Sequence, residues 1–235
     1  METVGEWWQR VSQTTAVPPA AEVLIAGAVA LALVLLVWRP VRMVATLAHE
    51  AGHAVVGALT GRKLQGIRVH ADTSGVTLSR GRPRGPGMVL TLLAGYPAPG
   101  VAGLAAAALI AQGRSVLVAW SLALGAAVML LRMRNLVGAV VVLLVGLGLA
   151  GMAWYTPVRW LPWLATTVAW LLLLAGARTV LEAAGSQTKD HRSDAAQLAG
   201  LTHLPRWLWL GAWLLIAGGS VWFGSRWLLG LPGLV

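Results

Sequence analysis

The amino-acid sequence predicts an all-α polytopic membrane protein of about seven transmembrane helices, with a small cytoplasmic β-hairpin. Three observations carry this expectation. Of 235 residues, 57% are apolar and only 11% charged, whereas soluble domains carry about a quarter charged residues. The apolar residues gather into seven runs of roughly membrane-spanning length. Lys and Arg fall mostly between those runs and favour one side of the membrane.

Residues 1–19 form a polar N-terminal segment with Glu2, Glu6 and a single Arg10. A leader peptide would open on positive charge, so the first apolar run is expected to stay in the membrane. Residues 20–235 are expected to form a single integral-membrane domain. Its apolar runs are 20–38, ended by Arg39-Pro40; 41–59; 88–111; 116–131; 136–154; 163–177; and 207–229. The third run is broken by Gly95-Tyr96-Pro97-Ala98-Pro99-Gly100. Between the second and third runs the chain is basic and rich in Gly and Pro. There Asp72-Thr73-Ser74-Gly75 reads as the turn of a hairpin over 64–79. A polar segment, 178–206, precedes the last run.

With the N-terminus in the cytoplasm and seven spans alternating, 13 of the 18 Lys and Arg lie on the cytoplasmic side. The positive-inside rule expects that bias. The net charge of +10 is therefore read as topology control, and no nucleic-acid partner is expected. The expected location is the cell membrane, multi-pass, with a cytoplasmic N-terminus. The 13 Trp suit the headgroup region, and Trp38, Trp154, Trp160, Trp163 and Trp207 sit near ends of apolar runs. Cys is absent, which excludes thiolate metal sites, disulfides and a cysteine nucleophile.

The second run holds His49-Glu50-Ala51-Gly52-His53. Residues one helical turn apart stack on one face, so the two imidazoles can share a tetrahedral cation, for which Zn2+ is the usual choice. Glu50 projects from the same turn and can act as general base toward a water that the metal acidifies. Ionisable groups inside an apolar helix are costly unless paired, which makes this triplet a functional candidate. The structural alternative is a polar helix–helix contact. A catalytic zinc usually takes three protein ligands. Ser193 can cap a short helix that begins with Asp194, which would make that carboxylate oriented and rigid. Asp194 is the first candidate, ahead of Asp190, with His191 and Asp72 behind. Its bland role is to complement the helix dipole.

These residues carry a family resemblance. His49-Glu50-Ala51-Gly52-His53-Ala54, then Leu59-Thr60-Gly61-Arg62, Ser74-Gly75-Val76-Thr77 and Leu93-Ala94-Gly95-Tyr96 resemble the site-2 protease class of intramembrane zinc metallopeptidases, in a compact bacterial branch. Arg134-Asn135-Leu136 and Ser193-Asp194-Ala195-Ala196 resemble that branch too, and the likeness covers about residues 42–215. It implies a zinc-dependent endopeptidase acting on a transmembrane protein substrate in the lipid bilayer. His49 and His53 would be metal ligands, Glu50 the catalytic base, and Asp194 the favoured third ligand. One departure stands out: the Asn-x-x-Pro-x-x-x-Leu-Asp-Gly stretch that supplies the third ligand in better-known members has no counterpart here.

The remaining candidates carry two readings each. Asn135 can hydrogen-bond the oxyanion that develops on a scissile carbonyl, or cap the following helix. Tyr96 can donate to substrate in the cavity, or pack. The hairpin can clamp an unwound substrate by strand addition, or be a plain surface feature. Arg132 and Arg134 set topology and can meet anionic headgroups. His70 and His203 read as interfacial side chains without a metal. Besides hydrolysis, the motif is compatible with a non-catalytic segment- or zinc-binding relative, or with a transporter, although the paired repeats typical of transporters are not visible.

Overall fold

A computed structural model describes residues 4–186 and 193–231. Among these the chain is mostly helical: α1 (Val4–Ser12), α2 (Ala20–Leu36), α3 (Trp38–Leu59), strands β1 (Lys63–Val69) and β2 (Gly75–Arg80), then α4 (Pro86–Leu93), α5 (Ala98–Ala111), α6 (Ser115–Leu130), α7 (Leu136–Tyr155), α8 (Leu161–Gly185), α9 (Asp194–Thr202) and α10 (Arg206–Leu228).

The expected seven spans resolve differently. α7, α8 and α10 are each long and apolar enough to cross a bilayer. α2 and α3 form one pair bent by 103°, and α4 and α5 another bent by 69°. Counting each bent pair as one broken span gives up to five, and α6 has 16 residues. The first corner lies at Val37, before Arg39-Pro40 rather than at it. Pro40 falls in the first turn of α3, where backbone N–H groups lack helical acceptors, so its missing donor costs nothing there. The Arg178 guanidinium, from α8, reaches the Val34 carbonyl at the open end of α2. It also lies 4.1 Å over the Trp38 ring and pairs with Glu182, which in turn meets Arg42 at 3.5 Å. A cation at a helix C-terminus is the favourable sign.

The centre of the bundle is a seam of small residues on α5, α8 and α10. A Cβ on Gly176 would come within 2.8 Å of the Gly100 backbone nitrogen, and one on Gly103 within 2.9 Å of the Ala169 carbonyl. Small residues let membrane helices approach to backbone contact, where dispersion and packing replace the hydrophobic drive that lipid removes. Ala106, Ala107, Ala165, Ala169 and Leu173 fill the surrounding core. At the N-terminal side, Thr15 donates its backbone N–H to the Gly113 carbonyl at 2.7 Å, pinning the segment after α1 to the α5–α6 turn.

The hairpin forms where the sequence places it, with an antiparallel register from Lys63↔Arg80 to Val69↔Gly75 and a bulge between Leu64 and Gly66. Its placement is less expected. It does not stand off the helices but folds back along α3. Arg39 donates to the Ala71 carbonyl at 3.2 Å, Thr46 to the Thr73 carbonyl at 2.8 Å, and Thr77 reaches Glu50 further on. The outer edge of β1 is covered by the α6–α7 turn. Ile67 donates to the Arg132 carbonyl and accepts from the Arg134 N–H, both at 2.9 Å. Among the described residues, no strand pairs with the outer edge of β2.

The seam predicts that Gly176→Leu forces α5 and α8 apart. A loss of about 1–3 kcal/mol is expected from overpacking, read as a lower midpoint in thermal unfolding of the purified chain in detergent.

Candidate metal centre

α3 runs unbroken through the motif, so His49 and His53 fall one above the other, as the four-residue spacing requires. Their Nε2 atoms are 3.0 Å apart. Asp194 Oδ2 lies 3.2 Å from each of them. Metal–ligand bonds of about 2.0–2.1 Å at tetrahedral angles put neighbouring ligand atoms about 3.3 Å apart. The observed triangle matches that edge length, and the donor set of two imidazoles and one carboxylate suits zinc. The residues present therefore fit the cation. Side-chain exposures of 20% for His49, 9% for His53 and 14% for Asp194 leave the group shielded but reachable.

Three neighbouring elements build this geometry. The first is the break between α4 and α5. The last carbonyls of a helix lack their regular i+4 donors; that of Thr91 keeps only a long bond from the Ala94 N–H, at 3.3 Å, and here two such carbonyls accept from side chains of other helices. The Thr91 carbonyl accepts from His53 Nδ1 at 2.7 Å. A carbonyl can only accept, so Nδ1 carries a proton and Nε2, which faces Asp194, is the nitrogen left for a metal. The Leu93 carbonyl accepts from the indole N–H of Trp213, a fully buried residue of α10, at 3.0 Å. Irregular backbone at membrane depth is tolerated only where its polar groups are satisfied this way.

The second element is the close approach of α3 to that break. A Cβ on Gly52 would meet the Ala94 carbonyl and the Ala98 Cβ, each at 2.6 Å. A Cβ on Gly95 would lie 2.5 Å from the His53 ring and 2.6 Å from His49 Cε1. Both glycines are needed for clearance. Tyr96, next along the break, sets its ring edge-to-face on His49 at 4.8 Å and tilts against Trp213 at 4.5 Å.

The third element is α9. Ser193 caps it by accepting from the Ala196 N–H at 3.4 Å, as the sequence suggests. Ala195 and Leu198 bury against Leu92 of α4, Val180 of α8 and Trp213 of α10. That packing holds the first helical residue, Asp194, over the two histidines.

The remaining candidates fall elsewhere. Asp72 sits in the hairpin turn, bonded to the Ser74 hydroxyl at 2.7 Å and its N–H at 2.9 Å. These bonds, the hydroxyl first, hold its carboxyl below the usual carboxylate range. Asp190 and His191 lie outside the described residues. Asn135 stands at the N-cap position of α7 without a side-chain cap bond. Both ends of its carboxamide are engaged with Val69 of β1: Oδ1 accepts from the N–H at 3.2 Å and Nδ2 donates to the carbonyl at 2.7 Å. In these contacts the side chain continues the cover of the β1 edge. His70 meets Ser74 in the hairpin turn, and His203 closes α9 in a left-handed conformation.

Sequence reasoning passed over Thr91 and Trp213. No local signal marks them, because each acts through a backbone carbonyl exposed by a break in another helix or its own. Thr77 and Gly75 were visible only as parts of a short motif.

Replacing Asp194 with Ala opens the triangle, so bound divalent metal should fall from about one per chain to well below half, measured by elemental analysis after purification. Gly95→Ala should weaken metal affinity by about 10–100-fold through displaced imidazoles, with the helical circular-dichroism signal unchanged.

Two of the three comparisons with known proteins return nothing: no curated protein and no solved structure matches the chain. A family model does match, described as Peptidase M50B-like, over residues 23–224. That span runs from the start of α2 to the last turns of α10 and takes in the histidine pair, Glu50, the hairpin and Asp194. With a broken-helix membrane fold, and a His–His–Asp group able to hold a metal, the chain belongs to the Peptidase M50B-like family, the site-2 protease class.

Proposed function

We propose that this chain is a zinc-dependent intramembrane endopeptidase that hydrolyses peptide bonds of transmembrane protein substrates. The observation that carries this reading is the closed triangle of His49, His53 and Asp194, with Glu50 in the same helical turn. Three protein donors leave a fourth position for water or substrate, the usual arrangement of a catalytic zinc. When bound there, the cation would polarise a peptide carbonyl and make a water acidic enough to lose its proton near neutral pH.

Glu50 takes that proton and later returns it to the leaving amine. The residue is 3% exposed, so its carboxylate works away from bulk solvent, where its interactions are strong. The Thr91 carbonyl keeps His53 in the tautomer that can bind metal. Tyr96, against His49, stands where an incoming chain would meet the site, and its hydroxyl is a donor for that chain.

A substrate helix has its amides already paired and must be unwound before attack. One face of β2 packs on Glu50 through Thr77 and Gly75, and its outer edge, which no strand among the described residues pairs with, supplies backbone groups for an extended segment, with affinity from main-chain bonds rather than from one side chain. On this reading the hairpin lies along α3 because it delivers the extended substrate to the base. The protein works as a multi-pass protein of the cell membrane, with the N-terminus on the cytoplasmic side.

Glu50→Gln keeps the shape of the side chain and removes its basicity. The variant should retain about one zinc per chain and lose cleavage of a membrane-embedded substrate by about a thousandfold or more. Cleavage at more than a tenth of the normal rate would reject Glu50 as the base.

A further inference from the structure

The carboxylate of Glu50 is gripped from both sides by β2. The Thr77 hydroxyl lies 2.6 Å from Oε2 and 3.1 Å from the Glu50 backbone carbonyl. A hydroxyl has one proton to donate, and the shorter bond, to the charged acceptor, is the stronger of the two. On the other oxygen the neighbour is Gly75. A Cβ there would stand 2.5 Å from Oε1 and 2.8 Å from Cγ, so the carboxylate packs against a bare backbone. Free on a helix, a glutamate side chain samples many rotamers. Thr77 and Gly75 restrict that freedom.

The grip is anchored through the sheet. Thr77 faces Ile67 across the register, and Ile67 is the residue whose N–H and C=O are tied to Arg132 and Arg134. Ile67 is also 1% exposed, packed in a cluster with Leu47 and Val142. The position of the Thr77 hydroxyl is thus set by two further elements of the fold, not by the flexible end of a hairpin.

We propose that Thr77 is a positioning residue for the hydrolytic reaction: its hydroxyl holds Oε2 and leaves Oε1 as the oxygen that exchanges the proton. The inference rests on the reading of Glu50 as general base. It makes a chemical distinction between substitutions. Serine keeps the hydroxyl; valine keeps the shape and loses the donor. Gly75→Ala is a second route to the same end. Its Cβ would meet Oε1, Cγ and Cδ of Glu50, all side-chain atoms, so the glutamate side chain is what has to shift.

The test uses the full chain in lipid nanodiscs with a single-span reporter peptide that the unaltered protein cleaves. Thr77→Val should lower kcat by about ten- to a hundredfold, the size of a displaced general base, with KM within about twofold and zinc content unchanged. Thr77→Ser should recover kcat to within about threefold of the unaltered chain, and Gly75→Ala should reproduce the valine phenotype. Full kcat in Thr77→Val overturns the proposal. So does an equal loss in the serine and valine variants, or a loss carried by KM or zinc, since each marks a merely structural threonine. Glu50→Gln, run in parallel, separates the two levels. An inactive Glu50→Gln beside a fully active Thr77→Val sinks the positioning role alone; an active Glu50→Gln removes the base and this proposal with it.

Discussion

The centre is organised by the contact between α3 and the broken α4–α5 segment. An intact helix in lipid keeps every backbone carbonyl to itself and offers nothing to a neighbour. By stopping at Leu93, α4 leaves carbonyls without their regular i+4 donors, and the Thr91 carbonyl then fixes a His53 proton on Nδ1. The same break must come close enough to do this, and Gly52 and Gly95 are what allow it. One irregularity thus orients His53 and admits both imidazoles.

The break also recruits the rest of the site. Trp213 of α10 satisfies the Leu93 carbonyl and presents its ring to Tyr96, which in turn packs on His49. α9 docks on the same wall, against Leu92 and Trp213. Asp194 is therefore brought to the histidines by the helices that close off the broken one. The seam of small residues among α5, α8 and α10 holds that wall together. The candidate metal centre depends in this way on packing some distance from it.

The hairpin is the other constraint. It lies along α3 because its turn carbonyls accept from Arg39 and Thr46 and its second strand meets Glu50. Its first strand is covered by the α6–α7 turn, through Ile67 and through the carboxamide of Asn135. The sheet is thus held on one edge, open on the other, and packed by one face of β2 on the carboxylate. An open strand edge is usually a liability, and among the described residues nothing pairs with this one.

Much of this was legible in the amino-acid sequence, and the reason is periodicity. The 57% apolar content and the long runs specify membrane helices. The four-residue spacing of His49 and His53 specifies one helical face. Ser193 ahead of Asp194 specifies a cap, and Asp72 to Gly75 a turn, because each is a matter of a few neighbouring residues. What the tertiary structure decided involves partners far apart in sequence. It bent two pairs of helices, so that the seven apolar runs yield three to five candidate spans among the described residues. It laid the hairpin along α3, engaged Asn135 with Val69, and chose Asp194 over Asp72 as the carboxylate facing the histidines. Local patterns are set by backbone geometry within a turn or two. Which distant groups meet is set by how helices pack and by which backbone groups a break leaves in need of a partner, and neither is written in any single stretch of the chain.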